Sequence, residues 1–267
     1  MVNMINKSTT VLIILFFVNF IQAQKNDMYI VLLAGQSNMA GRAEYRSSDT
    51  VSYANIYSLN KDSIWVRAKN PLHWDKDAAG VGMGITFAHD LALKLGGNVK
   101  IGLVPCAAGG TSIDDWLNNI YFPYTYNVYL YNNLINRAKK ATQSGKIIGL
   151  IWHQGEFDSN FDKYKTYQNK LNTFFLKIRT DLKTPTLPIV AGEVGRFLVS
   201  NKTYSQSDSI NKCINNLKYS LKNYEVVSSI DLKPRNDNTH FTSESQAILG
   251  IRYAESFYKI AFLNTSP

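Results

Sequence analysis

Apolar, β-branched runs recur along the chain between segments whose apolar residues have helical spacing. The runs predict strands buried on both faces of a sheet, at residues 29–34, 99–105, 147–152, 187–191 and 225–230. The intervening and final segments predict helices at residues 86–95, 127–142, 164–182, 207–221 and 243–261. Strands alternating with helices at these lengths indicate right-handed βαβ units. We therefore expect an α/β fold, a three-layer α/β/α sandwich around a five-stranded parallel sheet.

Residues 43–84 depart from this alternation. They are rich in Ser, Asn, Trp and Tyr and show little periodicity. We expect a long irregular insertion close to the functional end of the sheet, with room for a small hairpin. No repeat or low-complexity tract marks a linker elsewhere in the sequence, so the rest of the chain is expected to form a single domain.

The N-terminal residues have the pattern of a secretory signal peptide. Lys7 precedes an uncharged apolar run at residues 11–20, and the small Ala23 follows it. This predicts a signal peptide at residues 1–23, a mature domain at residues 24–267, and a secreted or periplasmic protein. The run is shorter than the roughly 20 residues of a membrane helix, so no stable membrane insertion is expected after cleavage. A retained anchor is the alternative.

Charge and cysteine content exclude some classes of protein. The net charge is +9, but Lys and Arg are scattered, which favours solubility or attraction to acidic glycans over nucleic-acid binding. With Cys106 and Cys213 as its two cysteines, the chain is not a disulfide-stapled scaffold. Cys106 ends an apolar strand pattern and is typical of a buried thiol, although one bridge remains open. The histidines are dispersed, so no metal site and no cofactor are expected.

Polar clusters follow the first two long predicted strands, at the sheet edge where α/β folds bind ligands. After Gly35, the first cluster places Ser37 at a strand-to-helix turn, where its hydroxyl is either a nucleophile or an ordinary helix cap. The second cluster contains Gly109 and Gly110, whose unhindered backbone N–H groups suit an acyl oxygen. An ordinary glycine turn is the alternative.

Two further clusters supply candidate acid–base groups. Residues 152–156 end the third long strand with Gln154, a possible side-chain donor to an oxyanion, and with Glu156. Asp237 stands three residues before His240 in a polar loop ahead of the last helix. A carboxylate at that spacing can bond Nδ1 and leave Nε2 free to accept a serine proton. Glu156 is the second candidate for this acid, and the local spacing favours Asp237.

These four blocks, taken in order, resemble the sialate O-acetylesterase-like branch of the SGNH hydrolases, which includes the family 6 carbohydrate esterases. The Gly-Gln-Ser-Asn-Met motif of that group matches residues 35–39, and its Asp-x-x-His block matches residues 237–240. Its glycine block and its His-Gln-Gly-Glu block match residues 109–111 and 153–156. The wider superfamily has asparagine where this chain has Gln154, an exchange that the subgroup shares.

The resemblance implies a flavodoxin-like SGNH fold and a secreted serine esterase that removes acetyl groups from carbohydrate without a cofactor. It implies these roles: Ser37 as nucleophile, His240 as base, Asp237 as acid, oxyanion donors at Ser37, Gly110 and Gln154, and supporting positions at Gly109 and Glu156. The expected partner is an acetylated carbohydrate, with xylan or a related polysaccharide ahead of O-acetylated sialic acid. Trp65, Trp74 and Trp116 lend weak support as sugar-stacking residues.

A protein of the same fold that only binds carbohydrate is the alternative class. The presence together of a nucleophile, a base and oxyanion donors argues against a pure binding module. Lipase-like and phosphodiesterase-like activities are weaker competitors, because the sequence contains neither an apolar lid nor a basic phosphate cradle. The sequence does not indicate an oligomeric state.

Overall fold

A seven-stranded sheet forms the centre of residues 28–264, the part of the chain that the computed structural model describes. Its strands are β1 (Met28–Gly35), β2 (Ile56–Leu59), β3 (Trp65–Arg67), β4 (Lys100–Pro105), β7 (Lys146–His153), β8 (Ile189–Gly192) and β9 (Tyr224–Val227). The spatial order is β3-β2-β4-β1-β7-β8-β9. All neighbouring pairs are parallel except β2 and β3. Strands β5 (Tyr121–Phe122) and β6 (Val128–Tyr129) form a separate antiparallel pair.

Helices cover both faces of this sheet. They are α1 (Ser37–Ala40), α2 (Gly84–Lys94), α3 (Ile113–Leu117), α4 (Leu130–Ala141), α5 (Tyr164–Asp181), α6 (Ser207–Asn216) and α7 (Ser243–Tyr258). Alternate residues of β1 enter two separate apolar clusters. Ile30 and Leu32 pack with α3 to α6, whereas Val31 and Leu33 pack with α2 and α7. The expected three-layer sandwich is confirmed.

The prediction of five strands is wrong by two. Strands β2 and β3 come from the insertion at residues 43–84, which forms the hairpin that the sequence left room for. Its first strand pairs in parallel with β4 and so extends the main sheet. These two short strands lie in a segment with little periodicity, so pairing with a neighbouring strand, rather than a local pattern, decides their conformation.

Features predicted outside the sheet have mixed outcomes. Cys106 is buried, Cys213 is partly buried, and both are free thiols, as the sequence favoured. The predicted signal peptide lies outside the described residues. Within residues 28–264, no helix combines the length and the apolar character that crossing a membrane requires.

Gly35 joins the sheet to the functional end of the molecule. It ends β1 opposite His153 of β7 and has a φ of +134°, a backbone conformation that residues with a Cβ rarely adopt. A Cβ at this position would overlap the carbonyl oxygen of His153. The chain can therefore pass close to β7 and turn into α1 only with glycine here.

We expect Gly35→Ala to lower the free energy of unfolding by about 3 kcal/mol or more, because the backbone strain and the overlap with His153 add. Urea denaturation measures the change. Gly96→Ala is the matched control, since Gly96 also has a positive φ, of +95°, but faces open space. Its cost should be only about 1 to 2 kcal/mol. Equal losses in the two variants would show that contact with β7 does not restrict position 35.

Candidate active site

The carboxyl ends of β1, β4 and β7 meet the loop before α7 at one edge of the sheet. Ser37 is the first residue of α1, directly after Gln36, whose backbone N–H donates to the His153 carbonyl at 2.9 Å. Gln36, rather than Ser37, occupies the helix N-cap position, and no side chain caps this helix. The hydroxyl of Ser37 is therefore available for another interaction.

Ser37, His240 and Asp237 form one chain of hydrogen bonds. Ser37 Oγ lies 2.9 Å from His240 Nε2, and His240 Nδ1 lies 2.9 Å from Asp237 Oδ2. The other carboxylate oxygen of Asp237 accepts the backbone N–H groups of Thr239 at 2.9 Å and His240 at 2.8 Å. The structure thus brings together the serine, the histidine and the favoured acid, across 203 positions of sequence between Ser37 and His240.

The pKa values of the His240–Asp237 pair suit a base that is neutral near neutral pH. Burial lowers the pKa of His240, and this effect exceeds the raising effect of Asp237. Partial burial alone would raise the pKa of Asp237, but the hydrogen bonds from His240 and Thr239 together hold that pKa below its usual value. A neutral imidazole with an ionised partner on Nδ1 has a free lone pair on Nε2 for the Ser37 proton.

Two backbone amides are available to an oxyanion beside Ser37. The N–H of Ser37 starts a helix, and Gly110 has a φ of +81° and is exposed. Neither amide donates to an acceptor within residues 28–264. Gly109 and Gly110 line the same pocket as Ser37, and a Cβ on Gly109 would lie 3.3 Å from Ser37 Cβ. The glycine loop therefore places its free donor close to the serine.

The predicted role of Gln154 as an oxyanion donor is wrong. Gln154 is fully buried, and its Nε2 donates to the Thr111 carbonyl at 3.0 Å and to Asp158 Oδ2 at 2.5 Å. These bonds use both hydrogens of the amide, and the Tyr167 hydroxyl donates to its oxygen at 3.0 Å. Gln154 instead anchors the glycine loop, because Thr111 follows Gly110 directly.

The N-terminal side of the glycine loop is anchored by Asp75, which sequence reasoning missed. Asp75 Oδ2 accepts the Gly109 N–H at 2.7 Å, and the same carboxylate makes two hydrogen bonds with the guanidinium of Arg42. Asp75 and Arg42 are both buried. The loop is thus held at Gly109 and Thr111, the two neighbours of Gly110. Asp75 lies in the aperiodic insertion, so only its tertiary contacts identify it.

Glu156, the alternative acid, lies beneath the site and is not bonded to His240. Both ring nitrogens of His240 are already paired, with Asp237 and Ser37. The Glu156 carboxylate instead accepts a hydrogen bond from Asn38 Nδ2 at 2.6 Å, and burial raises its pKa to about 7. His153, 3.9 Å away, is neutral because burial lowers its pKa to about 3. Of the two candidate acids, Asp237 is the one that is hydrogen-bonded to His240 among the described residues.

Comparison with known proteins places this site in a family. A family model described as carbohydrate esterase, sialic acid-specific acetylesterase matches residues 27–259. The chain belongs to this family. A probable carbohydrate esterase of Arabidopsis thaliana is 31% identical over 248 residues, covering 85% of this chain and 89% of that protein. A probable 9-O-acetyl-N-acetylneuraminic acid deacetylase of Escherichia coli is 27% identical over 116 residues, 39% of this chain and 36% of that protein.

Solved structures support the same fold assignment. The crystal structure of the Arabidopsis protein is 29% identical to this chain, with a TM-score of 0.74, and the match covers 88% of this chain and 98% of that one. A carbohydrate acetylesterase from Xanthomonas citri shares the fold, with a TM-score of 0.65 at 20% identity over 89% of this chain and 57% of that one. The family resemblance read from the four blocks is confirmed, and this carbohydrate esterase is a carboxylic ester hydrolase.

The pocket of this carbohydrate esterase is lined in part by residues that the sequence did not predict. Its lining residues are Gln36, Ser37, Arg42, Lys76, Gly109, Gly110, Phe157, Tyr204, Thr239 and His240. Lys76 lies 4.4 Å above the ring of the exposed Tyr124, and Lys163 lies 4.2 Å above the exposed Phe157. The tryptophans named as sugar-stacking candidates lie elsewhere: Trp116 is fully buried, and Trp65 and Trp74 pack against the core.

Proposed function

We propose that this carbohydrate esterase removes O-acetyl groups from a glycan, with Ser37 as nucleophile, His240 as general base and Asp237 as its acid partner. The observation that carries the proposal is the hydrogen-bond chain from Asp237 through His240 to Ser37, which ends in a pocket with free amide donors. A non-catalytic binding module would have no need for this alignment.

The proposed reaction is a two-step acyl transfer. His240 Nε2 takes the Ser37 proton while Ser37 Oγ attacks the acetyl carbonyl. The resulting oxyanion accepts hydrogen bonds from the backbone N–H groups of Ser37 and Gly110. His240 then returns the proton to the departing sugar oxygen, which leaves an acetyl ester on Ser37. Water, activated by the same imidazole, hydrolyses this ester and releases acetate. Asp237 holds the tautomer and stabilises the transient imidazolium.

Acetylated xylan or a related polysaccharide is the substrate we favour. The exposed rings of Tyr124 and Phe157 flank the pocket region, and such rings can stack on neighbouring sugars of a chain. O-acetylated sialic acid is the second candidate. It is favoured by the family's description and by the name of the Escherichia coli relative, and Lys76 in the pocket lining offers a cation for a carboxylate.

Ser37→Ala should abolish acetate release, because no other hydroxyl is paired with His240 among the described residues. Acetate would be measured with acetylated xylan, O-acetylated sialic acid and 4-nitrophenyl acetate, for wild-type and variant protein. A fall to about 10⁻⁴ of the wild-type rate or less is expected on every substrate that the wild type hydrolyses.

The same panel tests the substrate. Faster release from xylan supports the polysaccharide, whereas release from sialic acid alone, lost in Lys76→Met, would favour the second candidate. Wild-type turnover in Ser37→Ala would place the nucleophile elsewhere. Tight glycan binding by the wild type without acetate release from any substrate would favour the binding module.

Asp237→Asn should lower kcat by about 10³ to 10⁴-fold, because an asparagine can hold His240 in the wrong tautomer.

The same variant should also change the pH dependence of kcat/KM. Activity requires neutral His240 and is lost as pH falls through its pKa. The Asp237 carboxylate raises that pKa, so its removal should move the acidic limb to lower pH. Asp181→Asn, at an exposed ion pair with Lys177, should keep both the rate and the limb. If the acidic limb of the kcat/KM profile did not move in Asp237→Asn, the assignment of Asp237 as the acid partner of His240 would be contradicted.

Export is also part of the proposal, since an enzyme that acts on an extracellular polysaccharide must leave the cytosol. The support is the signal-peptide pattern of residues 1–23. Expression of the full chain in a secreting host should yield an exported protein whose N-terminal residue, found by mass spectrometry of its N-terminal peptide, is Gln24. A chain retained in the membrane with Met1 intact would indicate an anchor instead.

A further inference from the structure

Asn38, the residue after Ser37, bonds to the backbone on both sides of His240. Its Nδ2 donates to the Thr239 carbonyl at 3.3 Å, and its Oδ1 accepts the Phe241 N–H at 3.2 Å. Thr239 and Phe241 are the two neighbours of His240, more than 200 positions away in sequence. One amide side chain thus joins the turn that carries Ser37 to the loop that carries His240.

Glu156 fixes the orientation of this amide from below. Its Oε1 accepts a second hydrogen bond from Asn38 Nδ2, at 2.6 Å, and both side chains are completely buried. A carboxyl oxygen at this position requires the nitrogen of Asn38 to face it, which leaves the Asn38 oxygen for Phe241. The backbone carbonyl of Asn38 also accepts from Gln246 Nε2 at 3.0 Å, which joins the same turn to α7.

The cost of burying Glu156 indicates a specific role. An acid taken out of water is unfavourable unless its oxygens are bonded, and Oε2 of Glu156 has no hydrogen-bond partner among the described residues. A leucine or methionine would fill the space at lower cost. What the acid provides is an acceptor at the correct distance from Asn38.

We propose that Asn38, oriented by Glu156, is a positioning residue that holds His240 within hydrogen-bond distance of Ser37. This inference rests on the proposed roles of Ser37 and His240. Proton transfer between Ser37 Oγ and His240 Nε2 requires a separation close to the observed 2.9 Å. A displacement of about 1 Å in such a pair can cost about 10²-fold in rate. The amide that fixes both neighbours of His240 restricts this displacement.

The test compares kcat, KM and the rate of labelling by a fluorophosphonate probe, which reports the reactivity of Ser37. In Asn38→Ala we expect kcat and the labelling rate to fall together by about 10 to 100-fold, with KM changed by less than about threefold. A role confined to folding would lower the melting temperature without this separation of kcat from KM.

Asn211→Ala is the matched control. Asn211 is also a buried asparagine whose side chain bonds both the N–H and the carbonyl of a distant residue, Val194, at 2.8 and 3.1 Å. Its loss should lower the melting temperature but leave kcat and the labelling rate within about twofold of wild type. An equal loss of kcat in both variants would mean that general destabilisation, rather than positioning, explains the effect.

Variants of Glu156 keep the test decisive if Asn38→Ala does not fold. Glu156→Gln can still present an oxygen to Asn38 and should retain kcat within about fivefold, whereas Glu156→Leu cannot and should lose about tenfold or more. Wild-type kcat in Asn38→Ala or in Glu156→Leu would overturn the inference while leaving the proposed function intact. Failure of the proposed function would instead appear as turnover or labelling in Ser37→Ala.

Discussion

The parallel pairing of β1 with β7 is the constraint on which the site depends. Gly35 lies opposite His153, and the Gln36 N–H bonds the His153 carbonyl, so the turn that carries Ser37 starts at a fixed place beside the end of β7. This approach is possible because position 35 has no Cβ. Every later contact of the turn, including those to Glu156 and to the loop of His240, starts from that position.

The loops that carry Gly110 and His240, at this edge of the sheet, are held in place in the same way. In each, the residues before and after the functional group are bonded to buried side chains, and these side chains do not bond the functional group itself. Gly109 and Thr111 are bonded to Asp75 and Gln154 around Gly110. Thr239 and Phe241 are bonded to Asn38 around His240. Donors and bases fixed before substrate arrives need little reorganisation during the reaction, which is the physical basis of electrostatic preorganisation.

These supports require buried polar groups, and Arg42 and Asp75 offset the cost of their burial by bonding each other. Arg42 and Asp75 form a bidentate pair in the interior, and Arg235 donates to the Arg42 carbonyl while its guanidinium also lies 3.7 Å from Asp237. A buried charge without such partners would be strongly destabilising. These contacts therefore form a continuous chain of hydrogen bonds and ion pairs from Asp75, in the insertion at residues 43–84, to the loop before α7.

The sequence by itself determined the layer architecture, the long strands and helices, and the three blocks that contain Ser37, Gly110, and Asp237 with His240. Local signals were enough for these features. The spacing of apolar residues differs between helices and strands, and the three-residue separation of Asp237 and His240 allows their contact. The Asp237–His240 spacing suggested a base for a serine, and the resemblance identified Ser37 as that serine.

Tertiary structure decided the rest. The place of β2 in the main sheet, the true role of Gln154, the choice of Asp237 over Glu156, and the supports from Asp75 and Asn38 all depend on hydrogen bonds between distant segments. A side-chain amide or carboxylate has the same composition whether it faces substrate or supports a loop. Only the positions of its partners in space distinguish the two, and no periodicity along the chain encodes them.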